Sequence, residues 1–149
     1  MAETSDAPEA SSSAAATPAA DGPPRATFDY AIVRVAPRVE REEFVNAGII
    51  LFCRTRDFLE ARLALDSARL AVLAPDLDVT DVERHLASIP RVCAGGPGTG
   101  AIGRLTQSQR FNWLVAPRNT VIQTSPVHAG LCTDPAVALE RLVHRLVSR

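Results

Sequence analysis

Phe44-Val45-Asn46-Ala47-Gly48-Ile49-Ile50-Leu51-Phe52-Cys53 is apolar on both of its alternating sets. Phe44, Ile50 and Phe52 fall on one, and Val45, Ile49, Leu51 and Cys53 on the other. Successive side chains of a strand point to opposite faces, so a run without a polar set predicts a central strand covered on both sides. Gly48 inside it marks a bulge or a close backbone approach. Asn46 is the one amide among hydrophobes, and a buried amide must be satisfied, by backbone at a bulge or by pointing into a pocket.

Working outward, Phe28 to Ala36 is rich in β-branched and aromatic residues and stops at Pro37, which reads as a second strand. Leu59, Ala61, Leu63 and Leu65 alternate with Glu60, Arg62 and Ala64, the pattern of a half-exposed third strand. Short connections make the three an antiparallel meander. Helices follow. Asp66 is placed to cap a short helix that Pro75 ends, and Thr80-Asp-Val-Glu83 reads as a capping box. Behind it Val79, Val82, Leu86 and Ile89 fall at helical spacing. Thr106 to Val115 reads as another helix carrying Phe111, Trp113 and Leu114, with Trp113 expected in the core. Residues 119–124 and 127–132 are two brief strands expected to form a short hairpin, which either extends the first sheet or stands apart. Asp134-Pro135 then gives an N-cap with Pro at the first helical position, opening a terminal amphipathic helix. The fold class is therefore α+β: a three-stranded antiparallel meander, helices, a short strand pair and a C-terminal helix.

Apart from Met1, Gly22 and Arg25, the first 26 residues are Ala, Ser, Pro, Thr and acid, with no aromatic residue. Such a segment buries too little apolar surface to offset its ordering entropy and is expected to be disordered. Residues 27–149 are then a single domain. The chain of 149 residues has a formal charge of −1; its first 26 residues carry −3, so the domain itself is +2. That balance does not suit a wholesale nucleic-acid or membrane-surface protein. Cys53, Cys93 and Cys132 form no CxxC pair and share no ligand spacing with His85, His128 and His144, so neither a disulfide framework nor a metal site is expected. With no signal-peptide pattern and no membrane-length apolar run, the expected location is the cytoplasm.

Between Arg84 and Thr133 there is no Asp or Glu, while Arg84, Arg91, Arg104, Arg110 and Arg118 all occur. A stretch of fixed positive charge favours phosphate or carboxylate. Arg104 and Arg110, then Arg118, with Gln123 and His128, are candidate ligand-binding residues on this ground. Gly98-Thr-Gly-Ala-Ile-Gly103 has the spacing of a dinucleotide fingerprint, but that motif needs a preceding strand, and a helix is predicted there. Ser125 and His128 lie close enough in sequence to serve as nucleophile and base, yet no acid nearby would orient the imidazole. Glu42 and Glu43 are adjacent and point to opposite faces of any strand, so they make no catalytic carboxylate pair. No cofactor motif is complete.

Tyr30-Ala-Ile-Val-Arg34, Glu43-Phe-Val-Asn-Ala-Gly-Ile-Ile-Leu-Phe52, Arg110-Phe-Asn-Trp-Leu114 and Gln123-Thr-Ser-Pro-Val-His-Ala-Gly130 together resemble the bacterial domain of unknown function 3037 family. The resemblance runs from about Phe28 to the C-terminus. It implies a small standalone bacterial domain with no assigned activity and no assigned catalytic residues. It also implies a protein partner, since similar proteins are often encoded beside kinase-like proteins of the HipA class. Asn46, Gly48, Arg110, Trp113, Gln123, Ser125, His128 and Gly130 are the positions matching its motifs. Two functions are expected in order: a non-enzymatic accessory protein for a protein partner, and a phosphate- or nucleotide-binding domain using residues 84–133.

Overall fold

A computed structural model describes residues 24–118 and 120–148. Of the predicted tail, residues 1–23 lie outside the described residues, while Ala26, assigned to it, is buried at the start of the first strand. Strands β1 (Ala26–Val35), β2 (Val45–Cys53) and β3 (Phe58–Leu63) form the expected antiparallel meander. Then come α1 (Ser67–Leu73), α2 (Val79–Leu86), α3 (Ser88–Ala94), α4 (Gln107–Val115), β4 (Ile122–Thr124), β5 (His128–Cys132) and α5 (Pro135–Leu146). The sheet order is β3-β2-β1, with β4 and β5 both on the far side of β1.

β2 is central, and its burial explains the two-sided apolar run. One face, with Val33, Val35, Ile50 and Phe52, packs against Leu70, Leu86, Val92 and Phe111 of α1–α4. The other, with Phe28, Ile49 and Leu51, packs against Leu139, Leu142 and Val143 of α5. The phase along β2 is not constant. Val33 pairs with Gly48 but Arg34 pairs with Asn46, leaving Ala47 as an extra, bulged residue. The bulge moves Val45 onto the Ile50 and Phe52 face, where unbroken alternation had put it with Ile49. Phe44, expected inside, is 47% exposed as a result. Gly48 is needed for the close approach of β3: a Cβ there would lie 2.7 Å from the Arg62 carbonyl oxygen.

β4 and β5 are not a hairpin. Both run antiparallel to β1, end to end, with Thr124 opposite Val33 and His128 opposite Tyr30. Three residues, Ser125 to Val127, therefore span two of β1, and the strand is interrupted there rather than turned back. The expected strand start at residue 119 lies outside the described residues.

Helix starts follow local capping chemistry. Asp66 accepts from the Arg69 N–H at 3.0 Å, Asp134 from the Ala136 N–H at 3.0 Å, and Thr106 with Gln109 closes a capping box on α4. For α2 the cap is Asp78, which accepts from the Asp81 N–H, and the helix starts before the predicted Thr80. The helical pattern to Ile89 is divided into α2 and α3, because Pro90 has no N–H to offer Leu86 and belongs in a first turn. Trp113 is 43% exposed, not core: Phe111 and Leu114 take the buried side of α4 and turn the indole outward.

Candidate binding cleft

Alternation along β1 places Phe28, Tyr30, Ile32 and Arg34 on the face that α5 covers. α5 packs over β2 and β3, leaving the β5 side of that face open. The result is a cleft of about 290 Å³ between β5 and α5. Its floor is Phe28, Tyr30 and Gly130; Arg141 and Arg145 stand one helical turn apart on its wall, and Thr133 and Asp134 close one end. Gly130 is required there, since a Cβ would meet the Phe28 ring at 2.6 Å. Tyr30 is held by a tilted stack on the exposed His128, with ring centroids 5.4 Å apart. Among the described residues, Arg141 and Arg145 are in no ion pair, whereas Arg62 on β3 is paired with Glu140 of α5.

Beyond the C-terminal end of α5, Arg34 stands between Asn46 on β2 and Gln123 on β4 in the register. The Asn46 amide donates to the Leu146 carbonyl at 3.0 Å, a terminal carbonyl with no helical partner. Arg34 lies over the Phe44 ring, 4.2 Å from its centroid. The Arg34 Nε and the Asn46 Oδ1 are buried without a hydrogen-bond partner among the described residues. This polar row unites three of the quoted sequence blocks that are far apart in the chain.

The candidate residues read from the sequence are thus divided. Asn46, Gln123 and His128 belong to the β2–β1–β4/β5 part of the sheet just described. Ser125 is 2% exposed and serves the backbone: its Oγ accepts from the Ile32 N–H at 2.8 Å and donates to the Pro126 carbonyl, while its own N–H donates to Ile32. Its hydroxyl is committed within the strand break, so Ser125 and His128 form no nucleophile and base pair. Arg104, Arg110 and Trp113 belong to the opposite layer. Arg110 is 8% exposed and donates to the carbonyls of Leu105 at 2.6 Å and Cys93 at 3.3 Å, fastening the glycine-rich loop from inside. Arg84 pairs with Asp81, Arg118 caps the end of α4, and Arg104 and Arg91 are exposed. The arginines of residues 84–133 therefore do not converge. The glycine run follows α3 and enters a short 3₁₀ turn, without the strand a dinucleotide fingerprint needs.

Nucleophilic cysteine chemistry has no support in these surroundings. Burial pushes the Cys93 thiol up to about 12, against a smaller opposing effect of the Arg110 charge. Burial also raises Cys132, and the neighbouring Cys53 adds to it. Among the described residues no three His, Cys, Asp or Glu side chains gather as a metal site, and no helix is long and apolar enough to cross a membrane.

The family model for proteins of unknown function, DUF3037, matches residues 30–147. The chain belongs to the DUF3037 family. The matched region of this DUF3037 chain contains Tyr30, Gly130, Arg141 and Arg145, and so both sides of the cleft. No curated protein and no solved structure matches it significantly. Sequence inspection missed the cleft's wall. Arg141 and Arg145 were visible as the polar side of an amphipathic helix, but nothing local says that this side overlooks an open strand.

Proposed function

We propose that this protein is a non-enzymatic binding domain that receives an extended, acidic segment of a partner protein along β5. The observation that carries the reading is the cleft: a strand that among the described residues pairs on one side only, overlooked by two arginines that no acid among those residues pairs with. An open strand edge offers unpaired backbone N–H and C=O groups to an incoming strand, and alternate side chains of that strand then fall into flanking pockets. Leu131, 62% exposed on the same strand, adds apolar contact, as does Val127, 44% exposed just before it. Arg141 and Arg145 select acidic side chains, with a fork geometry suited to carboxylates. The kinase-like partner implied by the family resemblance is the first protein to test. Co-purification with it, reduced at least tenfold by the double variant Arg141→Ala/Arg145→Ala, is the expected result. Failure to associate at micromolar concentration counts against that partner, and binding indifferent to both arginines counts against the cleft.

A phosphate-bearing ligand is the second reading, favoured by the same two guanidiniums rather than by the dispersed arginines of residues 84–133. Inorganic phosphate at low salt would then protect the domain against heating, and the protection would be lost in the double variant.

A further inference from the structure

On the opposite side of the molecule, where α4 meets β4 and the α2–α3 junction, is a second cavity of about 190 Å³. Ile89, Leu114 and Ile122 are apolar residues of its lining, and Trp113, His85 and Arg118 line it as well. Drug-sized ligands occupy about 300 to 1,000 Å³, so this space suits a single ring system and not a whole nucleotide. None of the residues lining it is acidic.

Trp113 is held at the surface by more than its place on α4. The Arg118 guanidinium lies 4.8 Å from the indole centroid. Its terminal nitrogens donate to the carbonyls of Trp113 at 2.7 Å, Leu114 at 2.9 Å and Ala116 at 3.5 Å. A guanidinium so committed clamps the indole in one orientation, which cuts the ordering cost of any ring that stacks on it. His85 is also oriented. Its Nδ1 lies 2.8 Å from the Asp81 carbonyl oxygen, which only accepts, and 3.6 Å from the Asp81 carboxylate, so Nδ1 carries a hydrogen and Nε2 is the nitrogen left to accept when the ring is neutral. The Ser88 hydroxyl also lines the pocket and donates to the His85 carbonyl.

We propose that this pocket binds a nucleobase, stacked on Trp113 and donating a ring or exocyclic N–H to His85 Nε2. A nucleobase supplies the flat face that Trp113 uses, the N–H that His85 accepts and a size matched to the cavity. The sugar, when present, stays outside. This site rests on different residues from the β5–α5 cleft, and either stands if the other fails.

Trp113 is the only tryptophan of the chain, so tryptophan fluorescence of the full-length protein, excited on the long-wavelength side of tyrosine absorption to exclude Tyr30, reports on this site alone. Adenosine, guanosine, cytidine and uridine, titrated singly, are the probes, with p-cresol as a stand-in for a partner's tyrosine. The expected result is saturable quenching by at least one nucleoside, with the same dissociation constant by calorimetry. His85→Ala changes a side chain that is 64% exposed and leaves the fold intact by circular dichroism; it should weaken that nucleoside about tenfold. Quenching by all four nucleosides that is linear and equal to that of N-acetyltryptophanamide overturns the proposal. So does saturable binding of p-cresol alone, or an affinity that His85→Ala does not change.

Discussion

At Cys93 a single thiol ties the glycine-rich loop to a measurable pH dependence. It is 3% exposed, and its carbonyl accepts from Arg110. The unfolded chain releases this proton near 9.0, while the folded chain holds it to about 12. Its contribution to stability is therefore whole below the lower value and declines as pH rises toward the upper one. The urea midpoint of the wild type should fall more between about pH 8 and about pH 10.5 than that of Cys93→Ala. Equal falls would place the alkaline sensitivity elsewhere. Gly130 is the other residue with a sharp expectation. Gly130→Ala drives a methyl group into Phe28, 2.6 Å away, and should cost about 1–3 kcal/mol in urea denaturation. Nothing local marks it as more than a strand glycine, and its reason is an aromatic ring on β1, far away in sequence.

Among the elements, the interrupted β4–β5 strand departs most from the local reading. Ser-Pro between two short apolar runs is ordinary turn chemistry and suggests a hairpin. β1 is long enough to pair with both runs in line, however, and Ser125 repairs the gap by standing in for a backbone acceptor. Ser125→Ala leaves the Ile32 N–H without the acceptor it has at 2.8 Å. The expected loss is about 1–3 kcal/mol, with faster hydrogen exchange at the Ile32 amide. A stability change within measurement error would show that the strand break does not depend on the hydroxyl. Helix boundaries were more legible, because a cap is decided within four residues. Asp66 and Asp134 act as their sequence positions predict, and only α2 moves, to the nearer acid at Asp78.

On the scale of the whole molecule, α5 closes one face of the sheet and creates the cleft by what it leaves uncovered. Leu139 is fully buried at its centre, so Leu139→Ala should cost about 2–5 kcal/mol in urea denaturation. A smaller loss would mean that the sheet face closes around the cavity. Arg141 and Arg145 face away from that packing, so the double alanine variant that tests binding should keep the wild-type urea midpoint. Binding of an acidic segment to the wild type should weaken as salt rises, because the two guanidiniums are exposed and screened.

What the sequence alone determined was set by short-range rules: the alternation of β1 and β3, the two-sided apolar run of β2, two of the helix caps, the amphipathic character of α5 and the family resemblance carried by four blocks. Each depends on residues within a turn or a strand of one another. Tertiary structure decided the rest. The bulge at Ala47 reverses the facing of Val45, since a register is a property of two strands and not of one. Arg110 turns inward because the loop it fastens folds over it, although its charge alone reads as surface. Trp113 turns outward because Phe111 and Leu114 take the core side of α4. The β5–α5 cleft exists only because α5 is centred over β2 and β3, and how far a helix covers a sheet is settled by packing that no single segment encodes.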